Sequence, residues 1–107
     1  MEITRLAEEL GLAVEDVRSL VLTFLDSTDR DLLLLEQAFS EQDAEQVRRI
    51  AHHIKGAACN LELTVIAEAA LAVEKQARSG VLLDPSSRVA LIRTEMDSIR
   101  TRLERGG

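Results

Sequence analysis

Residues Asp43 to Leu61 read DAEQVRRIAHHIKGAACNL. Val47, Ile50, Ile54, Ala58 and Leu61 recur at steps of three and four, the spacing of one buried face of a helix. Asp43 stands just before them as an N-cap, where a carboxylate can accept from a free N–H of the first turn. At 3.6 residues per turn these apolar positions cluster within about 40° of one direction, and His52 points about 160° away from it, into solvent. Gly56 lies one turn further along the same outer face, and Lys55 is the other near neighbour of His52. His53 falls about 100° from the core direction, at the boundary of the buried face.

The same periodicity continues on both sides. Ile3, Leu6, Ala7 and Leu10 predict a short helix over residues 2–10, stopped by Gly11. Val17, Leu20, Val21, Phe24, Leu25, Leu32, Leu35 and Phe39 predict a long one from Val14 to Phe39, with a bend where Thr28 and Asp29 interrupt the pattern. Ser40 to Asp43 read as a turn. Beyond Leu61, Thr64 is the predicted cap of a helix over Val65–Ser79, with Ile66, Ala70, Val73 and Ala77 inward and Gly80 as its stop. Asp84-Pro85 reads as a cap followed by proline in the first helical position. The last helix carries Val89, Ile92, Met96, Ile99 and Leu103 toward a frayed Gly106-Gly107 end. Short turns between amphipathic helices favour antiparallel neighbours. The fold class is therefore all-α: an up-and-down antiparallel four-helix bundle with a short extra N-terminal helix, one domain over residues 1–107. A continuous coiled coil is disfavoured by Pro85 and the turn at 40–43, while a dimeric helical hairpin stays open.

Composition narrows the class of function. A chain of 107 residues can bury one core, which without Trp or Tyr and with only Phe24 and Phe39 must be aliphatic. A net charge of −6 and the scarcity of aromatic rings disfavour nucleic-acid binding. No apolar run nears the roughly 18 residues that span a bilayer, and Glu2, Glu8 and Glu9 are unlike a signal peptide. The one cysteine, Cys59, cannot form an internal disulfide and suits a reducing cytoplasm.

Within the third helix Gly56 is the unexpected choice. A glycine inside a helix costs about 1 kcal/mol relative to alanine. Close helix packing could explain it, but the residue faces away from the core. Its missing side chain keeps the approach to the neighbouring imidazole open. A neutral imidazole, common near neutral pH, has a nucleophilic nitrogen, and Lys55 supplies positive charge where a transferred phosphoryl group would sit. Each residue also has a plain reading, as a solvated histidine, a surface lysine and a chance small residue at Cys59. Nucleophile, charge and clearance on one stripe exceed what a solvated face requires. Adjacent histidines point about 100° apart, which makes His52 and His53 a poor metal pair.

Ala51-His52-His53-Ile54-Lys55-Gly56 resembles the signature of histidine phosphotransfer (HPt) domains. The surround is similar too: Asp43 upstream, Ala57, Ala58, Asn60 and Leu61 after the glycine, then Leu71-Ala72-Val73-Glu74 and Arg78-Ser79-Gly80. The resemblance covers about Val14 to Leu103, and it selects His52 rather than His53 because Lys55 and Gly56 follow His52 by three and four places. It implies a phosphocarrier, not an enzyme, that takes a phosphoryl group from an aspartyl phosphate on a response-regulator receiver domain and passes it to another. It also implies that Lys55 stabilises the phosphohistidine and that Gly56 gives access. No cofactor is expected in this chain, since Mg2+ and the acidic pocket belong to the receiver. The expected partners are a receiver domain or a hybrid histidine kinase, with no nucleic acid and no membrane, and with the chain as a monomer in the cytoplasm. One departure is Glu62, where the family pattern has a second glycine, which should alter how the helix ends or how a partner docks.

On the fourth helix, Glu74 and Arg78 are one turn apart at the edge of the apolar face. They read equally as a surface ion pair or as functional groups, Glu74 orienting the His52 ring and Arg78 meeting the phosphate or the partner. Leu71 and Ala67 lie off the core line and could form an apolar docking patch. The alternative functions are an HPt-like interaction module that binds without phosphotransfer, and the dimerisation domain of a histidine kinase. The kinase family follows its histidine with an acidic residue and a proline, unlike His53 and Lys55-Gly56. A plain structural bundle gives no reason for Gly56.

Overall fold

Val47, Ile50, Ala51, Ile54 and Ala58 form the buried face of α3 (Ala44–Asn60), with Leu61 just past its end also buried. This is the predicted line with Ala51 added. In this computed structural model, which describes residues 2–105, the other helices are α1 (Ile3–Leu10), α2 (Val14–Ser40), α4 (Thr64–Arg78) and α5 (Ser86–Glu104). The described residues contain no strand. The expected fraying at Gly106-Gly107 lies outside the described residues.

Helix α3 packs between α2 and α4, α4 also packs on α5, and α5 returns to α2, which closes the four-helix bundle. Helix α1 lies against α2, burying Ile3, Leu6 and Ala7. One continuous apolar cluster runs through all five helices, filled by Leu, Ile, Val and Ala with Phe24 and Met96.

Every expected helix is present, and the departures are local. Helix α2 runs without interruption through Thr28 and Asp29: Thr28 is buried, and Asp29 turns outward to pair with Arg100 of α5. Leu20, expected inside, is 45% exposed, and Phe39 is only half-buried while Ala38 takes the core position beside it. Thr64 does not cap α4. It is the first helical residue, and Leu63 before it is the N-cap residue without a side-chain cap. Pro85 is likewise the residue before α5, one position earlier than expected, although Asp84 does cap by accepting from the Ser86 N–H at 3.0 Å. Asp43 caps α3 as read from the sequence, accepting from the Gln46 N–H at 3.1 Å.

The turns at the two ends of α3 explain how so few residues reverse the chain. After α2, Gln42 N–H donates to the Phe39 carbonyl and Asp43 N–H to the Ala38 carbonyl. After α3, Glu62 N–H donates to Cys59 and Leu63 N–H to Ala58. Both are the paired closure that places one residue in the left-handed region, and here those residues are Gln42 and Glu62, each at φ 57°. The sequence departure at Glu62 thus has a structural meaning: a side chain occupies a conformation that glycine adopts freely. Its carboxyl is also pushed above the ordinary value by hydrogen bonding with Glu9, whose negative charge adds to the effect. Glu62→Gly is expected to stabilise the fold by about 1 kcal/mol. Urea denaturation checks this, and an unchanged or lower midpoint would contradict it.

Candidate phosphoacceptor site

The turn closed by Asp43 sets where α3 begins, and burial of the Val47–Leu61 face then fixes its rotation. His52 is thereby turned outward, with its side chain 57% exposed. Its ring leans over α4, where Nδ1 lies 2.9 Å from Oε2 of Glu74. Glu74 is not at a surface edge. At 1% exposure it is buried, and so the reading of Glu74 and Arg78 as an ordinary surface pair is corrected. The cause is the position of α4 between α3 and α5, which buries a wider arc of it than one neighbour would: Ala67, Ala69 and Glu74 as well as the expected line.

A buried carboxylate is costly unless charges and hydrogen bonds compensate it. Arg78, one turn further on, donates to the same Oε2 at 2.6 Å, and the Lys55 Nζ stands 3.5 Å from Oε1. Burial alone would push the Glu74 carboxyl up. The His52 hydrogen bond and the charges of Lys55, His52 and Arg78 outweigh that and hold it below the ordinary 4.5. An ionised carboxylate only accepts hydrogen bonds. The network therefore assigns the proton of His52 to Nδ1 and leaves the lone pair on Nε2.

Lys55 and Gly56 complete the stripe as expected. Lys55 is largely covered, at 27% side-chain exposure, and is drawn across to Glu74. A Cβ added at Gly56 would meet nothing within 4 Å, so close helix packing does not account for this glycine. Arg48 is a residue the sequence reading missed. It stands one turn before His52, held by Glu45 at 2.7 and 3.1 Å, and it feels the charge of Glu74. Its spacing of four from His52 was the available signal.

His53 turns the other way. Its side chain is 64% exposed, and Nδ1 lies 3.0 Å from Asp31 of α2. It is more open than a packed boundary residue, and the two histidines address different helices. Among the described residues no cluster of three or more His, Cys, Asp or Glu side chains could hold a metal ion. Cys59 is exposed and free. Ala67 is corrected from a surface position: it is 8% exposed and packed, whereas half-buried Leu71 remains beside it. Lys55, Cys59, Thr64, Ala67 and Leu71 line an open groove between α3 and α4. On the flank of His53, Leu10, Leu12, Leu20, Phe24 and Ala57 line a second.

The site is an aliphatic helical bundle with an outward imidazole, His52, oriented from below by a buried carboxylate and open from above, an arrangement suited to carrying a small group. The profile of the Hpt domain family matches residues 19–102, and the chain belongs to that family. Its role is histidine phosphotransfer in phosphorelay signalling. Among solved structures the chain is similar to histidine-containing phosphotransfer protein B (HptB) from Pseudomonas aeruginosa PAO1, with a TM-score of 0.80 at 23% identity, covering 97% of this chain and 88% of that one. At that identity the likeness shows the fold. No curated protein sequence matches the chain. No described helix is long and apolar enough to cross a membrane.

Proposed function

We propose that His52 accepts a phosphoryl group at Nε2 from the aspartyl phosphate of a receiver domain and passes it to a second receiver. The observation that carries this reading is the 2.9 Å contact of Nδ1 with buried Glu74, which leaves Nε2 as the nucleophile. In the accepting step the Nε2 lone pair attacks phosphorus in line, the P–O bond to the aspartate breaks, and that electron pair returns to the carboxylate. The charges of Lys55 and Arg78, both held at Glu74 beside the ring, are read as offsetting that of the phosphoryl oxygens. Glu74 acts as a positioning residue, since it reaches the chemistry only through the ring.

Catalysis of the transfer is assigned to the receiver or kinase. Such transfer rests on positioning and charge stabilisation, and Mg2+ would be held by the partner, not by this chain. The chain is read as a cytoplasmic monomer that does not bind nucleic acid. Its net charge of −6 and single cysteine support that reading. The groove at Leu71 is read as part of the surface a receiver covers. Leu71→Glu is expected to slow transfer from a receiver by about tenfold, the effect of losing one good interface contact, and an unchanged rate would remove Leu71 from that surface. The relay itself is tested by adding the chain to one phosphorylated receiver and a second, unphosphorylated one. Label should reach the second receiver through the chain, and its failure to move would favour a module that binds without transfer.

A further inference from the structure

Glu74 is more than orientation requires. A neutral amide could hold an imidazole by one hydrogen bond, yet the chain buries a carboxylate under the ring, at 1% exposure. One of its oxygens, Oε1, has no hydrogen-bond partner and meets only the Lys55 ammonium, at 3.5 Å. Burying a charge is unfavourable unless it is fully hydrogen-bonded, and so the charge calls for a reason beyond geometry.

That reason lies in the phosphorylated ring. With phosphorus on Nε2, a ring that keeps its Nδ1 proton is a cation, and its bond to the Glu74 carboxylate becomes charge-assisted on both sides. The cations paired with that carboxylate are Lys55 from α3 and Arg78 from α4, while Arg48 of α3 is held by Glu45. Among the ion-paired groups of α2 and α5, Asp31 of α2 faces His53, and Arg93 and Arg100 of α5 pair with Glu36 and Asp29 of α2. Glu74 is the carboxylate that the described residues bring to His52. Without it, the phosphorylated ring would face cations and give up its Nδ1 proton more readily.

We propose that Glu74 keeps the proton on Nδ1 of phosphorylated His52, and so lets the ring leave phosphorus as a neutral imidazole in the donating step. The inference rests on the reading of His52 as phosphoacceptor. An acceptor oxygen attacks phosphorus, the P–Nε2 bond breaks, and its electron pair goes to Nε2. The proton stays on Nδ1, hydrogen-bonded to Oε2, and the neutral Nδ1–H ring is restored. When water is the acceptor, its proton passes to solvent and inorganic phosphate is released. A ring without the Nδ1 proton would have to leave as an anion, a far poorer leaving group. Glu74 thereby extends the range of pH over which the carrier gives up its phosphate.

The test needs no protein partner. Wild type and Glu74→Gln are loaded with phosphoramidate, a small phosphoryl donor, and loss of phosphohistidine to water is followed by 31P NMR. At about pH 9 the variant should lose phosphate about tenfold more slowly than wild type, with the two converging toward about pH 6, as expected for loss of one hydrogen bond to a charged group. A ratio that stays constant across pH is the mark of a merely structural change and overturns the proposal. Should Glu74→Gln not fold, 15N NMR of the phosphorylated wild-type ring decides the matter: a proton on Nδ1 at about pH 8 supports the proposal, and a bare Nδ1 overturns it. If His52 in wild type takes no phosphate, this proposal and the phosphoacceptor reading fall together; a loaded His52 with parallel profiles overturns this proposal alone.

Discussion

His52→Gln is expected to reduce phosphorylation by a phosphorylated receiver to background, with the fold intact. The loss is complete because no second imidazole shares the site: His53 lies on the far flank of α3 at Asp31. The fold survives because His52 is 57% exposed and packs no core. The glutamine amide can still donate to Glu74, whose Oε2 also keeps Arg78 at 2.6 Å. The change in stability should therefore stay under about 1 kcal/mol, as for other surface substitutions. Circular dichroism on heating checks that the lost label reflects lost chemistry and not unfolding.

Gly56→Leu should move stability and function in opposite directions. Leucine is the better helix former by about 0.8–1 kcal/mol, and a Cβ at this position meets nothing within 4 Å. The variant should melt higher than wild type. Its isobutyl group, however, would stand one turn from Nε2, in the space through which a receiver must bring its aspartyl phosphate in line. A displacement of about 1 Å at the reacting atoms can cost 100-fold, and transfer from a receiver should fall by about that factor. Loading by phosphoramidate should fall much less, since a small donor needs less clearance. Receiver transfer at the wild-type rate would show that Gly56 serves something other than access.

The distribution of what could be read from the sequence follows from the packing. The buried line of α3 and the outward pointing of His52 were legible because a helix between two neighbours shows its one wet stripe plainly in a 3.6-residue period. Helix α4 was less legible because its buried arc is wider, 7 of its 15 residues against 5 of 17 in α3, and so Ala67, read as lying off its core line, and Glu74, read at the edge of it, are covered. The charge partners of Glu74 come mainly from α3, at a separation of about twenty residues that no local pattern encodes. Leu20 failed in the other direction: it has apolar spacing, but it lines the open groove beside His53, at 45% exposure. At Glu62 the sequence shows a missing glycine, whereas the left-handed backbone that gives the substitution its meaning appears only in the turn.

The most direct test of His52 as the phosphoacceptor is the position of the label after incubation with a phosphorylated receiver, compared among wild type, His52→Gln and His53→Gln. An acid-labile, alkali-stable label present in wild type and His53→Gln and absent from His52→Gln is the expected result. Label retained by His52→Gln, or lost only with His53→Gln, would contradict the assignment.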